Sequence, residues 1–531
     1  MLEVRLIAMT ILTEQSLEFA REHIGKYYDS DFFPKAIEFD ALWHQWDEVK
    51  KDLRSKNVGK LWVTSPRAMT IPKPKGGFRV VHQLEPLDAV AYTALACGVA
   101  KAVEAARMPA DAHIACSYRL SIADGSYFAG GSGWVDFRKK TEELAAKFAN
   151  VLVTDITDFY NQVYLHRVNN AIESADAKLK PVADDIENFL SRLNDSSSQG
   201  IPVGPAASIV MSEAVLIDVD LSLKDLGVAH IRYVDEFRIF SDSPRDLYRV
   251  LERLTLYLYE NHRLTVSSEK TFVLNAAEFV QKHLHNNYAE EKVQLLETLD
   301  VFNPYTDDFE DVDLEVADEE EAQQHAQLIA AIEKVINYEH LDLSLARSVI
   351  RTARRNSVPV IAKHLLESFD FFLSSTTSRY TDEVTDPDLA KELCPVVEDL
   401  LSSSALDSQL VRFWIEWYVA QYPEFMQSAK IHQFVFGGAN VENQARAAIT
   451  TKNVAWVRDH KAGVYNLGGW ARRAVLHASR VLPSDERNHW LKLFIGNSPV
   501  LLDRWVAKWV LETAGVCHRV RADDDLSLIH I

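Results

Sequence analysis

Cysteine is scarce: Cys97, Cys116, Cys394 and Cys517 are the four in 531 residues. They stand far apart, in neither a disulfide framework nor a zinc-ligand spacing, which suits buried, inert thiols in a reducing cytosol. Long apolar runs are missing too. Met1 to Leu12 is broken by Glu3 and Arg5 and is too short and wrongly flanked for an export signal. No later stretch holds the ~20 uninterrupted apolar residues that cross a bilayer. A soluble, cytoplasmic chain with no membrane partner is expected. Positive charge is in deficit: 57 Lys and Arg against 77 Asp and Glu leave a net charge of −20, which argues against phosphate binding by the chain as a whole. One region departs from this. Between Lys50 and Arg79 the chain carries Lys50, Lys51, Arg54, Lys56, Lys60, Arg67, Lys73, Lys75 and Arg79 against Asp52 alone, either a basic channel wall or a solvated helix followed by a charged loop.

Three zones differ in texture. After an N-terminal helical segment, residues 1–60, the chain to about Asn303 mixes β-like runs (Val151–Val153, Ile231–Phe240, Thr271–Leu274) with helical stretches such as Leu87–Arg107 and Pro205–Leu223, an α+β pattern. Residues 304–324 hold ten acids from Asp307 to Glu321 and no cation; such a run repels itself, and a linker is predicted. Residues 325–525 read as helical throughout. Leu345, Val349, Ile350 and Ala353 share one face; Trp470, Ala474, Val475 and Ala478 form another stripe; Ser484 is placed as a cap. Helices broken at such intervals suit either HEAT-like α-repeats or an ordinary bundle. The end, Leu526 to Ile531, looks like a translated adaptor sequence and is expected to be non-native.

Chemistry concentrates in carboxylates at predicted strand ends. In Val151-Leu-Val-Thr-Asp155-Ile156-Thr-Asp158-Phe159-Tyr160 an apolar strand runs out at Asp155 and continues into a helix-like segment with a second acid. In Ile231-Arg-Tyr-Val234-Asp235-Glu236-Phe237-Arg-Ile-Phe240 alternating apolar positions flank an acidic pair, as in a hairpin whose tight turn presents carboxylates. Two such tips can converge on divalent ions, since Mg²⁺ prefers oxygen ligands and keeps several waters. A pair of these ions is what transfer of a nucleotide to a 3′-hydroxyl requires.

These two segments resemble motifs A and C of the reverse-transcriptase family, and Gln199-Gly200-Ile-Pro202-Val-Gly-Pro205 between them resembles motif B. Upstream, Ile71-Pro-Lys73-Pro-Lys-Gly-Gly-Phe-Arg79 is similar to the fingers hairpin; downstream, Leu264 to Thr271, with Lys270, is similar to motif D. The resemblance covers roughly Met69 to Leu274. It implies fingers and palm over residues 61–303, followed by an all-α domain. Asp155, Ile156 and Asp235 would form the metal site for two Mg²⁺, with Mn²⁺ as substitute. Asp155, Asp235 and Glu236 would be the catalytic acids and Lys270 the acid that protonates pyrophosphate. Lys73, Arg79, Asp158, Phe159, Tyr160, Gln199 and Gly200 would line the nucleotide, with Tyr160 excluding a 2′-hydroxyl so that dNTPs are used and DNA is the product.

The chain departs from the family in carrying Glu236 where a second aspartate is usual, and it shows neither a zinc-type HNH cluster nor a thumb or maturase segment after Leu274. The strings Leu84 to Leu95 and Ser117-Tyr118-Arg119, with the helical C-terminal half, look similar to bacterial defence-associated reverse transcriptases, including abortive-infection polymerases. Membership there implies anti-phage DNA synthesis, template-free in some members and protein-primed in others, with self-assembly or a second defence protein as partner. Tyr27 and Tyr28 are the early hydroxyls for priming, or aromatic packing beside Phe32 and Phe33. Two alternatives stay open: copying of a partner non-coding RNA or other RNA template, and a degenerate palm serving as a nucleic-acid-binding scaffold.

Overall fold

The computed structural model describes residues 12–30, 32–72, 77–128, 133–284 and 387–514, with 326, 329 and 330. The acidic stretch 304–324, the stripe from Leu345 to Ala353 and the tail 526–531 lie outside the described residues. Three helices, α1 (Glu14–Tyr27), α2 (Glu38–His44) and α3 (Trp46–Arg54), lead into a hairpin of β1 (Arg67–Pro72) and β2 (Phe78–Gln83). Helix α4 (Pro86–Ala106) follows, then a short hairpin, β3 (Leu120–Ala123) and β4 (Ser126–Phe128), and α5 (Trp134–Ala145). By length and apolar composition α4 could cross a bilayer. It is instead mostly inside the fold, packed on α1, because its apolar residues lie all round rather than on one stripe.

The centre is a four-stranded antiparallel sheet. Its strands are β5 (Asn150–Asp155), β6 (Ala229–Tyr233), β7 (Glu236–Ser241) and β8 (Phe272–Asn275), in the order β6-β7-β5-β8. The apolar run Val151-Leu-Val makes β5 an inner strand buried on both faces. Leu152 and Ile239 face a core built with α9 (Ala206–Asp225) and α10 (Pro244–His262), whereas Val151, Val153 and Phe240 face Phe137 of α5 and Phe279 of α11 (Ala276–Phe279). Between β5 and α9 run α6 (Phe159–Gln162), α7 (Leu165–Ala175) and α8 (Lys180–Leu193). The result is α+β, as the alternation of periods predicts.

Residues 387–514 are helical: α12 (Pro387–Leu400), α13 (Gln409–Val419), α14 (Ala429–Phe436), α15 (Val441–Thr450), α16 (Val454–Ala462), α17 (Gly469–Ala478), α18 (Ser484–Asn497) and α19 (Leu501–Thr513). Ser484 begins α18 from inside and its side chain makes no cap; Pro483 holds that place with pre-set backbone. These helices share a core with the N-terminal ones: α2 packs on α19, where the Gln45 amide donates to Trp505 O at 2.8 Å. Trp414 of α13 donates its indole N–H to Phe32 O at 2.9 Å. The tie is also ionic. Buried Arg473 reaches Glu38 at 2.7 Å, Glu85 at 2.9 Å and Asp503 at 3.6 Å, and so joins α17 and α19 to α2 and the start of α4.

Much of the basic run is consumed by the fold. Lys50 pairs with Glu18, Arg54 with Glu14 and Lys56 with Asp52. Arg67 pairs with Glu442 and lies 4.5 Å over the Trp470 ring, which anchors β1 to α15 and α17. Lys51, Lys60 and Arg79 stay exposed.

Candidate active site

The sequence places its acids at one end of the central sheet. Asp155 ends β5 directly opposite Glu236, the first residue of β7, and the two-residue turn Val234-Asp235 joins β6 to β7. The Ile156 amide donates to Asp235 O at 3.1 Å, and Ser267 donates to Asp155 O at 2.7 Å, so three segments are stitched together at this edge. Val234 takes φ 50°. A β-branched residue in that region is a strained exception, and strain of this kind persists only where surroundings enforce it. Ser117, which the sequence marks only as part of a family-like string, and Arg232, to which it gives no role, supply that enforcement by bonding the Val234 backbone.

Asp235 bears the electrostatic cost. Burial pushes its carboxyl up, and the like charge of Asp155 adds to this, to about 7. Lys270 donates from Nζ to Asp155 Oδ2 at 2.9 Å, and Lys270 and Arg79 both pull Asp235 down. Two converging carboxylates, one of them too protonated for its type, with an ammonium resting on the other, fit a divalent cation: its charge would relieve their repulsion and displace Lys270. Asp155 and Asp235 are the residues that would hold it. Among the described residues no cluster of three or more His, Cys, Asp or Glu is assembled for a metal, so water and substrate oxygens would complete the coordination, as Mg²⁺ tolerates.

This makes the site's stability pH-dependent. Between the ordinary aspartate value near ~4 and about 7, the folded chain holds a proton that the unfolded chain releases. Without metal, stability at this group therefore falls as pH rises through that window. Divalent metal needs the deprotonated pair, so the Mg²⁺- or Mn²⁺-induced rise in Tm should be small at about pH 5.5 and full at about pH 8. Thermal unfolding with and without metal checks this; equal shifts at both values would contradict it.

Glu236 stands beside Asp155, but its Oε1 accepts from Arg238 Nε and Nη2 at 3.1 and 2.8 Å. Residues two apart on a strand share a face, and the extra methylene lets Glu236 lie back on Arg238. That arginine is buried, 4.1 Å over Phe137 and bonded to Thr141. In this arrangement Glu236 is engaged by Arg238 rather than turned to the carboxylate pair.

The remaining residues surround the tips. Tyr160 is half-buried, packed edge-on against Phe159 at 5.7 Å, with Ser212 Oγ 3.4 Å from its hydroxyl; burial pushes that hydroxyl well above its ordinary range. Asp158 is exposed at φ 47° and accepts from Asn161 at 2.9 Å. Gln199-Gly200-Ile201 runs alongside the segment after Asp155: Gly200 N–H bonds Val163 O at 2.8 Å, Ile201 N–H bonds Tyr160 O at 2.9 Å, and the Gln199 amide reaches Gln162. Arg79 is exposed on β2, with its charge felt at Asp235 and Tyr160; Lys73 lies outside the described residues. Tyr27 packs on His23 at 5.2 Å, and Lys35 lies 5.9 Å over Tyr28.

Gly204 couples β2 to this loop. Val203 and His82 exchange bonds of 2.8 and 3.0 Å, and Gly204, at φ 131°, lies so close that a Cβ would stand 2.6 Å from Ser30 Oγ and 2.9 Å from His82 O. Gly204→Ala should destabilise the chain by about 2 kcal/mol or more. Urea unfolding reads this, and a loss under half that size would contradict the packing.

Residues 71–296 match the family described as reverse transcriptase (RNA-dependent DNA polymerase). No curated protein matches the chain. Solved structures that match include apo telomerase from Candida tropicalis, at 12% identity over 70% of this chain and 72% of that one, with TM-score 0.33. Telomerase from Candida albicans in complex with a TWJ fragment of telomeric RNA matches at 11% identity over 75% and 70%, with TM-score 0.31.

Proposed function

We propose, from the match of residues 71–296 to the reverse-transcriptase family, that the chain is a nucleotidyltransferase that polymerises deoxynucleotides in the cytoplasm in anti-phage defence, without an external template or from a protein primer. The observation that carries the polymerase reading is the convergence of Asp155 and Asp235 at one sheet edge, with the charge repulsion that Asp235 registers.

Two Mg²⁺ ions held there would activate the attacking 3′-hydroxyl and neutralise charge on the triphosphate and leaving group. Asp155 and Asp235 supply the ligands, with Ile156 tying their strands together. Arg79 meets triphosphate oxygens, which it can grip bidentately, and Lys73 is the second cation that the family resemblance assigns to them. The Tyr160 ring lies under the sugar and excludes a 2′-hydroxyl, while Gln199 and Gly200 border the base. Lys270, released from Asp155, donates a proton to the leaving pyrophosphate. The defence role is supported by the resemblance of the Leu84–Leu95 and Ser117–Arg119 strings to the defence-associated group.

The test is incubation of purified protein with each dNTP and Mg²⁺ or Mn²⁺, with and without RNA or DNA templates. Labelled product joined to protein in the absence of nucleic acid is the expected result. Product that appears only with added or co-purified RNA moves the assignment to a templated reverse transcriptase. No incorporation under any condition contradicts the polymerase.

A further inference from the structure

Behind the Val234-Asp235 turn lies a group of charges that no solvent reaches. Arg232 bonds both oxygens of Asp220, at 2.9 and 2.7 Å, and reaches both oxygens of Glu213, at 3.3 and 3.0 Å. Arg107, from the end of α4, brings a second guanidinium to Glu213 at 2.9 Å. All four side chains are at most 1% exposed. Taking two arginines and two acids out of water loses so much hydration that apolar residues of similar volume would often serve stability better. Stability is therefore a poor reason for the cluster.

What the cluster touches supplies a better one. Ser117 Oγ donates to Glu213 Oε1 at 2.6 Å and accepts the Val234 N–H at 2.9 Å, while Arg232 Nη1 donates to Val234 O at 3.0 Å. The residue with the strained backbone thus has both of its polar groups held by this network. Ser117 is itself fixed: Arg107 donates to Ser117 O at 2.6 Å and to Tyr118 O at 2.9 Å. Cys116 N–H bonds Arg232 O at 2.9 Å, and Arg232 N–H bonds Ile114 O at 2.7 Å, which lays residues 114–117 along β6.

We propose that this network positions Asp235. Glu213, set between Arg107 and Arg232, orients the Ser117 hydroxyl, and Ser117 with Arg232 holds Val234 in the conformation that aims the next carboxylate at Asp155. Ser117, Glu213 and Arg232 are positioning residues, since they meet the site only through Val234. The proposal rests on the reading of Asp235 as a metal-binding carboxylate.

Ser117→Ala in the full-length chain removes one hydroxyl and leaves the Val234 N–H without its partner. Incorporation is measured against Mg²⁺ and against dNTP concentration, beside thermal unfolding and an Asp235→Asn reference. A misplacement of the carboxylate should raise the half-saturating Mg²⁺ about 10-fold and lower kcat by about 10- to 100-fold. The KM for dNTP should stay within about 2-fold, and Ser117→Thr, which keeps a hydroxyl, should recover most of the loss. If the alanine variant does not fold, Ser117→Cys keeps the volume with a weaker hydrogen-bonding group and should show an intermediate Mg²⁺ requirement. Wild-type Mg²⁺ dependence and kcat in folded Ser117→Ala or, where that does not fold, Ser117→Cys, with Asp235→Asn inactive, overturn the positioning role alone. An active Asp235→Asn overturns the metal-site reading instead.

Discussion

Asp235→Asn should lower metal-dependent dNTP incorporation by about 10³-fold or more, while leaving the chain folded and, without metal at about pH 8, as stable as the parent or more so. The two halves have one cause. Asp235 is forced towards protonation by burial and by the charge of Asp155, up to about 7, so a neutral amide of the same shape removes a repulsion that the apo site must otherwise bear. The same amide cannot supply the second anion that the cation needs. Loss of activity through general unfolding would lower both quantities together. Incorporation assays and thermal unfolding on one preparation separate the cases, and a loss of activity smaller than about 10-fold would contradict the assignment.

Arg473→Ala should destabilise the chain by about 3–5 kcal/mol, the size expected when one partner of a buried ion cluster is deleted. Burial pushes the Glu85 and Asp503 carboxyls up; Arg473 pulls both back, with Arg472 helping at Asp503. Without Arg473, Glu38 and Glu85 lose the cation between them, and Asp503 keeps only Arg472 at 2.9 Å. Because the first and last described helices share one core with these, the loss should appear as a lower urea midpoint for that whole core rather than as melting of the C-terminal helices by themselves. A change below about 1 kcal/mol would mean that the cluster is not held as described.

How much of this was legible beforehand depended on distance along the chain. Val151-Leu-Val before Asp155, and the alternation around Asp235, are local patterns. They marked a buried strand and a hairpin, and the sheet sets these side by side. The Gly200–Pro205 string was legible through its resemblance to motif B, and Gly200 and Gly204 do take positive φ there. The engagement of Glu236 by Arg238, two residues on and on the same strand face, is a side-chain choice that the pattern of the acidic pair does not carry. The network behind Val234 could not be assembled from sequence, since its members come from α4, the Ser117 segment, α9 and β6. It left one signal. Glu213 and Asp220 interrupt the apolar run of α9 seven residues apart, and acids within a buried helix require cations to meet them. Residues 387–514 were legible as helices from their stripes. Their docking through Arg473 and Trp414 was not, because single residues hundreds of positions apart leave no periodic trace.

The central claim is that Asp155 and Asp235 together hold a divalent cation, and locating Mn²⁺ by anomalous diffraction in crystals grown at about pH 8 tests it most directly. A peak at ligand distance from both Asp155 and Asp235, with the Lys270 ammonium withdrawn from Asp155, is the expected result. A saturated crystal with no peak there, and Lys270 still on Asp155, would contradict it.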